Sequence, residues 1–156
     1  MKSPEELTAL FRASGRKVTP QRRRIFELLA EDDTHPSAEQ LYQRLVTEMA
    51  TVSRKTVYQT LWELEALGEI AAVDVGTRSL RFDPNAGENH HHAVCVRCER
   101  VVDVAVAIPD ALAAGSELEG FSIVRTDVVV RGVCPACRAE LTRPSAAAQQ
   151  RAIGAS

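Results

Sequence analysis

No apolar run in this chain approaches the roughly 18 residues that a membrane-spanning helix requires. Nor is there an excess of positive charge that would let it coat nucleic acid or an anionic membrane by bulk attraction. Lysine and arginine number 19 against 21 aspartates and glutamates, for a formal net charge of −2 and a pI near 6.1. Any nucleic-acid contact must therefore be local. Glu5 and Glu6 stand where a signal peptide has a basic and then an apolar region, so a cytoplasmic location is expected. The HExxH pattern of zinc hydrolases does not occur, and no internal repeat is evident. The 156 residues are 45% hydrophobic and 26% charged, an ordinary soluble composition with room for one sizeable core or two small ones. Two small ones would need a staple such as a structural metal.

Metal-binding side chains are few and crowded together. The cysteines are Cys95, Cys98, Cys134 and Cys137, and the histidines are His35, His90, His91 and His92. Cytoplasm keeps thiols reduced, so two CxxC pairs point to metal ligation more than to disulfides. Four thiolates close a tetrahedral Zn2+ site with no open position, which makes it structural. A redox dithiol is the rival reading.

The histidines form a separate question. On a strand, His90 and His92 face one way and His91 the other. Asp83 and Asp103 are the nearby hard ligands, and His35 is the remaining imidazole. If these five converge they form a mixed N/O site suited to Fe2+, Mn2+ or Zn2+. The alternative is a solvated polar hinge.

Taken in order, Leu7, Leu10 and Phe11 predict a helix from Pro4 to Ser14. Thr19 and Pro20 begin a second, running to about Ala30. Ser37 and Gln40 form a capping box for a third, ending near Glu48. Ser53 caps a fourth, in which Val57, Leu61, Leu64 and Leu67 form the buried stripe before Gly68. Two short strands, Ile70–Val75 and Ser79–Phe82, flank Gly76-Thr77 as a wing. Between Phe11 and Phe26 stand Arg12, Arg16, Lys17, Arg22, Arg23 and Arg24 with no acid among them. Arg54, Lys55, Thr56, Tyr58 and Gln59 lie near the start of the fourth helix, where a recognition helix meets bases and phosphates. A winged helix-turn-helix over residues 1–83 is the reading, against a plain helical subdomain.

Residues 84–89 are breaker-rich and read as a linker. Residues 90–141 become β-dominated, with strands expected at Ala93–Val96, Val101–Val106 and Phe121–Val130 and a helix from about Pro109 to Leu118. Residues 142–156, rich in Ala, Ser and Gln, read as a disordered tail. The fold class is thus α+β, a winged helix followed by a small α/β domain with a four-cysteine zinc site.

Several motifs are shared with one family in order along the chain: Val18-Thr19-Pro20-Gln21-Arg22, His35-Pro36-Ser37-Ala38-Glu39, Thr56-Val57-Tyr58-Gln59-Thr60-Leu61, Arg81-Phe82-Asp83, His90-x-His92-Ala93-x-Cys95-x-x-Cys98, Val102-Asp103 and Gly132-x-Cys134-x-x-Cys137. From Leu7 to Glu140 the chain resembles the ferric uptake regulator family of bacterial metal-dependent repressors. The resemblance implies a homodimer that binds palindromic operators in double-stranded DNA, with no membrane partner and no enzymatic turnover. It implies structural zinc at the four cysteines and a regulatory metal at His35, Asp83, His90, His92 and Asp103. It also implies that Tyr58 approaches bases and that Lys17 reaches the backbone or minor groove. Aspartate at both 83 and 103 is similar to the peroxide-responsive branch, in which Fe2+ promotes oxidation of a ligand histidine, here His35 or His90, and Mn2+ represses without that oxidation. An iron- or zinc-responsive uptake regulator is the alternative within the family; a zinc- or thiol-dependent enzyme is a remote one. A further family site would fall at Asn89, Asp110 and Thr126, where only Asp110 could ligate.

Overall fold

The computed structural model describes residues 1–87, 90–107, 121–122 and 126–142. The helix expected over 109–118, Asn89, Asp110 and the tail beyond 142 lie outside the described residues.

Four helices open the chain: α1 (Pro4–Ala13), α2 (Pro20–Ala30), α3 (Ala38–Glu48) and α4 (Arg54–Ala66). Each starts where a side-chain oxygen meets an otherwise unpaired backbone N–H. Ser3, Thr19, Ser37 and Ser53 accept from the N–H groups of Glu6, Arg22, Gln40 and Thr56. Ser3 and Ser37 complete reciprocal capping boxes with Glu6 and Gln40. The inward faces bury Leu7, Phe11, Ile25, Phe26, Leu41, Leu45, Val57, Leu61 and Leu64 in one core. Truncating one of these leucines to alanine should cost about 2–5 kcal/mol.

The wing is β1 (Ala71–Val73) paired antiparallel with β2 (Arg81–Asp83), Ala72 opposite Phe82. Phe82 joins the helical core, and Trp62 of α4 packs edge-on against its ring with centroids 5.8 Å apart. Gly76 turns the wing with φ +69°, and the Arg131 guanidinium occupies the space a Cβ there would need.

A second sheet has the order β4-β3-β5, from β3 (His91–Cys95), β4 (Val101–Val104) and β5 (Val129–Gly132). β3 runs antiparallel to β4 and parallel to β5. Val94 and Val101 meet Val73 and Val75 of the wing in a second, smaller core, so the sheet leans on the wing. The helix α5 (Pro135–Thr142) follows. Among the described residues no helix is long and apolar enough to cross a membrane.

Three differences from the sequence pattern have physical causes. β3 begins at His91 rather than Ala93, because His91 and His92 are held in the ladder opposite Val104 and Asp103. The last strand is Val129–Gly132, later than Phe121–Val130, with residues 121–122 and 126–128 outside any strand. Its register is set by β3, which places Val129 opposite His92 and Gly132 opposite Cys95. Helix α5 has Cys137 as its buried residue, leaving no apolar stripe for periodicity to detect.

Candidate metal centres and nucleic-acid interface

The parallel β3–β5 register places Cys95 beside Gly132, two residues before Cys134, and so brings the CxxC pairs together. One sulfur from each of Cys95, Cys98, Cys134 and Cys137 lies within 4.8 Å of the others, and none is in a disulfide. The Cys98 and Cys134 sulfurs are 3.8 Å apart. A tetrahedron with Zn–S bonds of about 2.3 Å has edges of about 3.8 Å, so the spacing fits that ion.

Backbone N–H groups support the sulfurs: Cys134 donates to Cys95 Sγ at 3.3 Å and Cys137 donates to Cys134 Sγ at 3.5 Å. The N–H groups of Cys134, Cys98 and Arg97 draw the Cys95 thiol down to about 6. The Cys98 and Cys134 sulfurs push Cys137 up to about 12. Thiols this close resist ionising together unless a cation compensates them.

The second cluster is assembled from four separate stretches. His35 lies in the α2–α3 loop at φ 51°, uncommon for a residue with a Cβ. The loop is shaped by Asp32, whose carboxylate accepts the Thr34 N–H at 2.8 Å and pairs with Arg44. The Phe82 N–H donates to Pro36 O at 3.1 Å and so ties the His35 loop to β2, which carries Asp83. His92 faces Asp103 across the β3–β4 ladder, and His90 immediately precedes β3. His35 Nε2 is 2.7 Å from Asp103 Oδ1 and 3.2 Å from Asp83 Oδ1, and His90 Nε2 is 2.9 Å from Asp83 Oδ2. His92 Nε2 is 3.7 Å from Asp83 Oδ2. Ligand atoms of His35, His90, His92 and Asp103 all fall within 4.8 Å of one another.

His35 and His92 are almost fully buried, yet their Nε2 atoms make no hydrogen bond despite the nearby carboxylates. The Nε2 atoms of His35 and His92 converge with the carboxylate oxygens on a common centre instead of pairing with them in hydrogen-bonding directions. Buried polar atoms left this way are costly, and a cation at the centre satisfies them. The residues therefore fit a metal.

Their protonation agrees with that. Burial opposes charge on His35, but Asp83 and Asp103 outweigh it and raise its pKa. Burial and the neighbouring His35 lower that of His92. Burial works against ionised Asp83, yet His35 and the Asn85 N–H prevail and bring it to about 2. A cavity of about 660 Å3 reaches His35, Asp83 and Asp103 past Asp32 and Asp33.

His91 points away from this cluster. It is buried, and its Nδ1 accepts the Val128 N–H at 3.4 Å, pinning the approach to β5. Among the described residues Thr126 belongs to no metal-holding group.

The residues expected to face DNA divide into two sets. Lys17, Arg22, Thr56 and Gln59 line one cavity of about 460 Å3 between the start of α2 and α4, together with Arg16, Thr19 and Glu63. Tyr58 is 42% exposed beside it. Arg54 lies to the other side, bound to Glu39 at 2.8 Å and stacked 4.2 Å over the Tyr42 ring, and Lys55 is exposed. Glu63 and Glu39 were not expected here; the absence of an acid from the basic run conceals that α3 and α4 supply the counter-charges.

A winged helix that presents a basic cavity, a sheet closed by four thiols, and a histidine–carboxylate cluster between them define a metal-dependent DNA-binding regulator. The chain belongs to the ferric uptake regulator family, whose model matches residues 13–131. It is 30% identical to the peroxide-responsive repressor PerR of Staphylococcus aureus (strain USA300) over 135 residues, 86% of this chain and 90% of that one. A zinc-bound manganese uptake regulator is 30% identical with a TM-score of 0.64, covering 85% of this chain and 99% of that one. The Helicobacter pylori ferric uptake regulator shares the fold at a TM-score of 0.66 and 23% identity, over 86% and 90% of the two chains.

Proposed function

We propose that this chain is a homodimeric, metal-dependent transcriptional repressor that binds palindromic double-stranded DNA in the cytoplasm and senses hydrogen peroxide. The observation that carries this reading is the convergence of His35 and Asp83 from the winged-helix part with His90, His92 and Asp103 from the sheet part. In this reading residues 1–83 bind DNA, 84–89 are the linker, 90–141 dimerise and hold metal, and 142–156 are a tail. A cation held by all five side chains ties the two parts together and so sets the spacing of the recognition helices in the dimer.

Zn2+ at Cys95, Cys98, Cys134 and Cys137 is structural. Fe2+ or Mn2+ suits the mixed nitrogen and oxygen donors of the second site. Fe2+ held by these residues would activate hydrogen peroxide so that one peroxide oxygen adds to an imidazole carbon and the other leaves as water, the ring giving up the two electrons; Mn2+ in the same ligands would not. The cavity past Asp32 and Asp33 admits a molecule of that size. An imidazole of His35 or His90 that has gained an oxygen atom no longer holds its place, and the winged-helix part is released. The chain is altered once by this chemistry, so it acts as a sensor and not as an enzyme. The similarity to the S. aureus peroxide-responsive repressor supports the same reading.

Mass spectrometry after peroxide treatment of Fe2+-loaded protein tests it. The expected result is the mass of one added oxygen on peptides carrying His35 or His90, with loss of DNA binding and no change in Mn2+-loaded protein. Oxidation confined to the cysteines would point instead to a thiol switch, which the low pKa of Cys95 also permits. The second reading, a metal-uptake regulator, is favoured by the likeness to the manganese uptake regulator. It would show metal-graded DNA binding with no histidine oxidation.

A further inference from the structure

Glu63 is an acid on a face suited to phosphates. Its Oε1 accepts from Arg22 Nη2 at 2.8 Å and from Gln59 Nε2 at 2.9 Å, while Arg16 Nε stands 3.4 Å from Oε2. Arg22 is itself pinned, donating to Lys17 O at 2.9 Å, and both arginines stand over the Phe11 ring. Glu63 is therefore held from two other segments and cannot swing away as an ordinary helix-surface partner would.

A carboxylate only accepts hydrogen bonds, so the Gln59 amide must turn an N–H toward it. The amide cannot flip, because its oxygen would then face the carboxylate. When the N–H distal to Oε1 is the one given to Glu63, the remaining edge holds Oε1 and the second N–H side by side, and Gln59 is exposed on α4. That acceptor–donor pair complements N6 and N7 of adenine in the major groove.

We propose that Glu63 is a positioning residue for base recognition. It locks the Gln59 amide so that α4 reads adenine, and it keeps Arg16 and Arg22 partly neutralised until phosphates compete for them. This rests on the DNA-binding reading above.

The test uses full-length, Mn2+-loaded protein and a pool of randomised palindromic duplexes, followed by affinity measurements across salt concentrations. Wild type is expected to select adenine at one position of each half-site, and Gln59→Ala to lose that preference alone. In Glu63→Gln the new amide both accepts and donates, so Gln59 is free to flip. Adenine discrimination at that position should fall about tenfold, other positions should keep theirs, and the slope of log affinity against log salt should steepen by about 1. If Glu63→Gln melts below the assay temperature, Glu63→Asp retains the charge but withdraws it, and should lose adenine discrimination without the steeper slope.

Unchanged discrimination in the Glu63 variants overturns the proposal, as does a base other than adenine at the position that Gln59→Ala affects. A wild-type protein that enriches no common sequence overturns both the proposal and the reading beneath it.

Discussion

His35 shows how much one residue depends on its surroundings here. Its left-handed backbone and buried ring exist because Asp32 shapes the loop and Pro36 is tied to β2. Its pKa is held above the ordinary value of 6.5 by Asp83 and Asp103 against the pull of burial, so the metal-free ring keeps its proton to higher pH than a free imidazole would. A metal binds the neutral imidazole, so binding must expel that proton. Mn2+ affinity is therefore expected to fall as pH drops through neutrality, with proton release visible as a dependence of calorimetric enthalpy on the buffer used. Mn2+ binding of unchanged affinity in His35→Ala would remove His35 from the ligand set. At this scale spacing made His90 and His92 legible together, because two residues apart on a strand share a face. It left His91 open, and the structure assigns it a backbone partner, Val128, that lies 37 positions away.

Among the elements, β2 does the most joining. All three of its residues are buried. Phe82 enters the helical core, Asp83 enters the histidine cluster, and Arg81 links two further parts of the chain. The Arg81 guanidinium donates to Gln40 Oε1 at 2.7 Å, within the capping box of α3, and to Glu99 Oε2 at 3.2 Å, one residue past Cys98. Glu99→Ala leaves the buried guanidinium short of its counter-charge. Since Glu99 is partly exposed, the expected cost is about 1–2 kcal/mol, read as a lower urea midpoint at unchanged slope. Wild-type stability in that variant would make the contact incidental. The four N-terminal helices were legible nearly to the residue, because caps and breakers act within one turn, whereas α5 was not. The strands of the second sheet were less so, since an apolar run does not state which of its residues a distant strand will pair with.

For the whole molecule, the two cores differ in what sustains them. The helical core is large and capped; the smaller one rests on Val73, Val75, Val94 and Val101 beside the thiol cluster. Removing zinc is therefore expected to unfold the sheet part first. Strong chelation should expose all four thiols to alkylation and add a low-temperature transition to the melting curve, while most helical signal persists. Resistance of the thiols to alkylation after chelation would show that they are held without metal.

By itself the sequence determined the four N-terminal helices and the paired CxxC motifs, and pointed to five side chains as candidates for a second metal. Each of these depends on residue type at short spacing, where backbone geometry is regular. Only the tertiary structure decided that His35 and Asp83 meet the β3–β4 histidines and aspartate, that Trp62 packs on Phe82, and that Glu63 collects two arginines and Gln59. Arg22 and Glu63 are 41 positions apart, as are Gln40 and Arg81. Contacts at such separations follow from how the wing, the helices and the sheet pack against one another, and no local period in the chain encodes them.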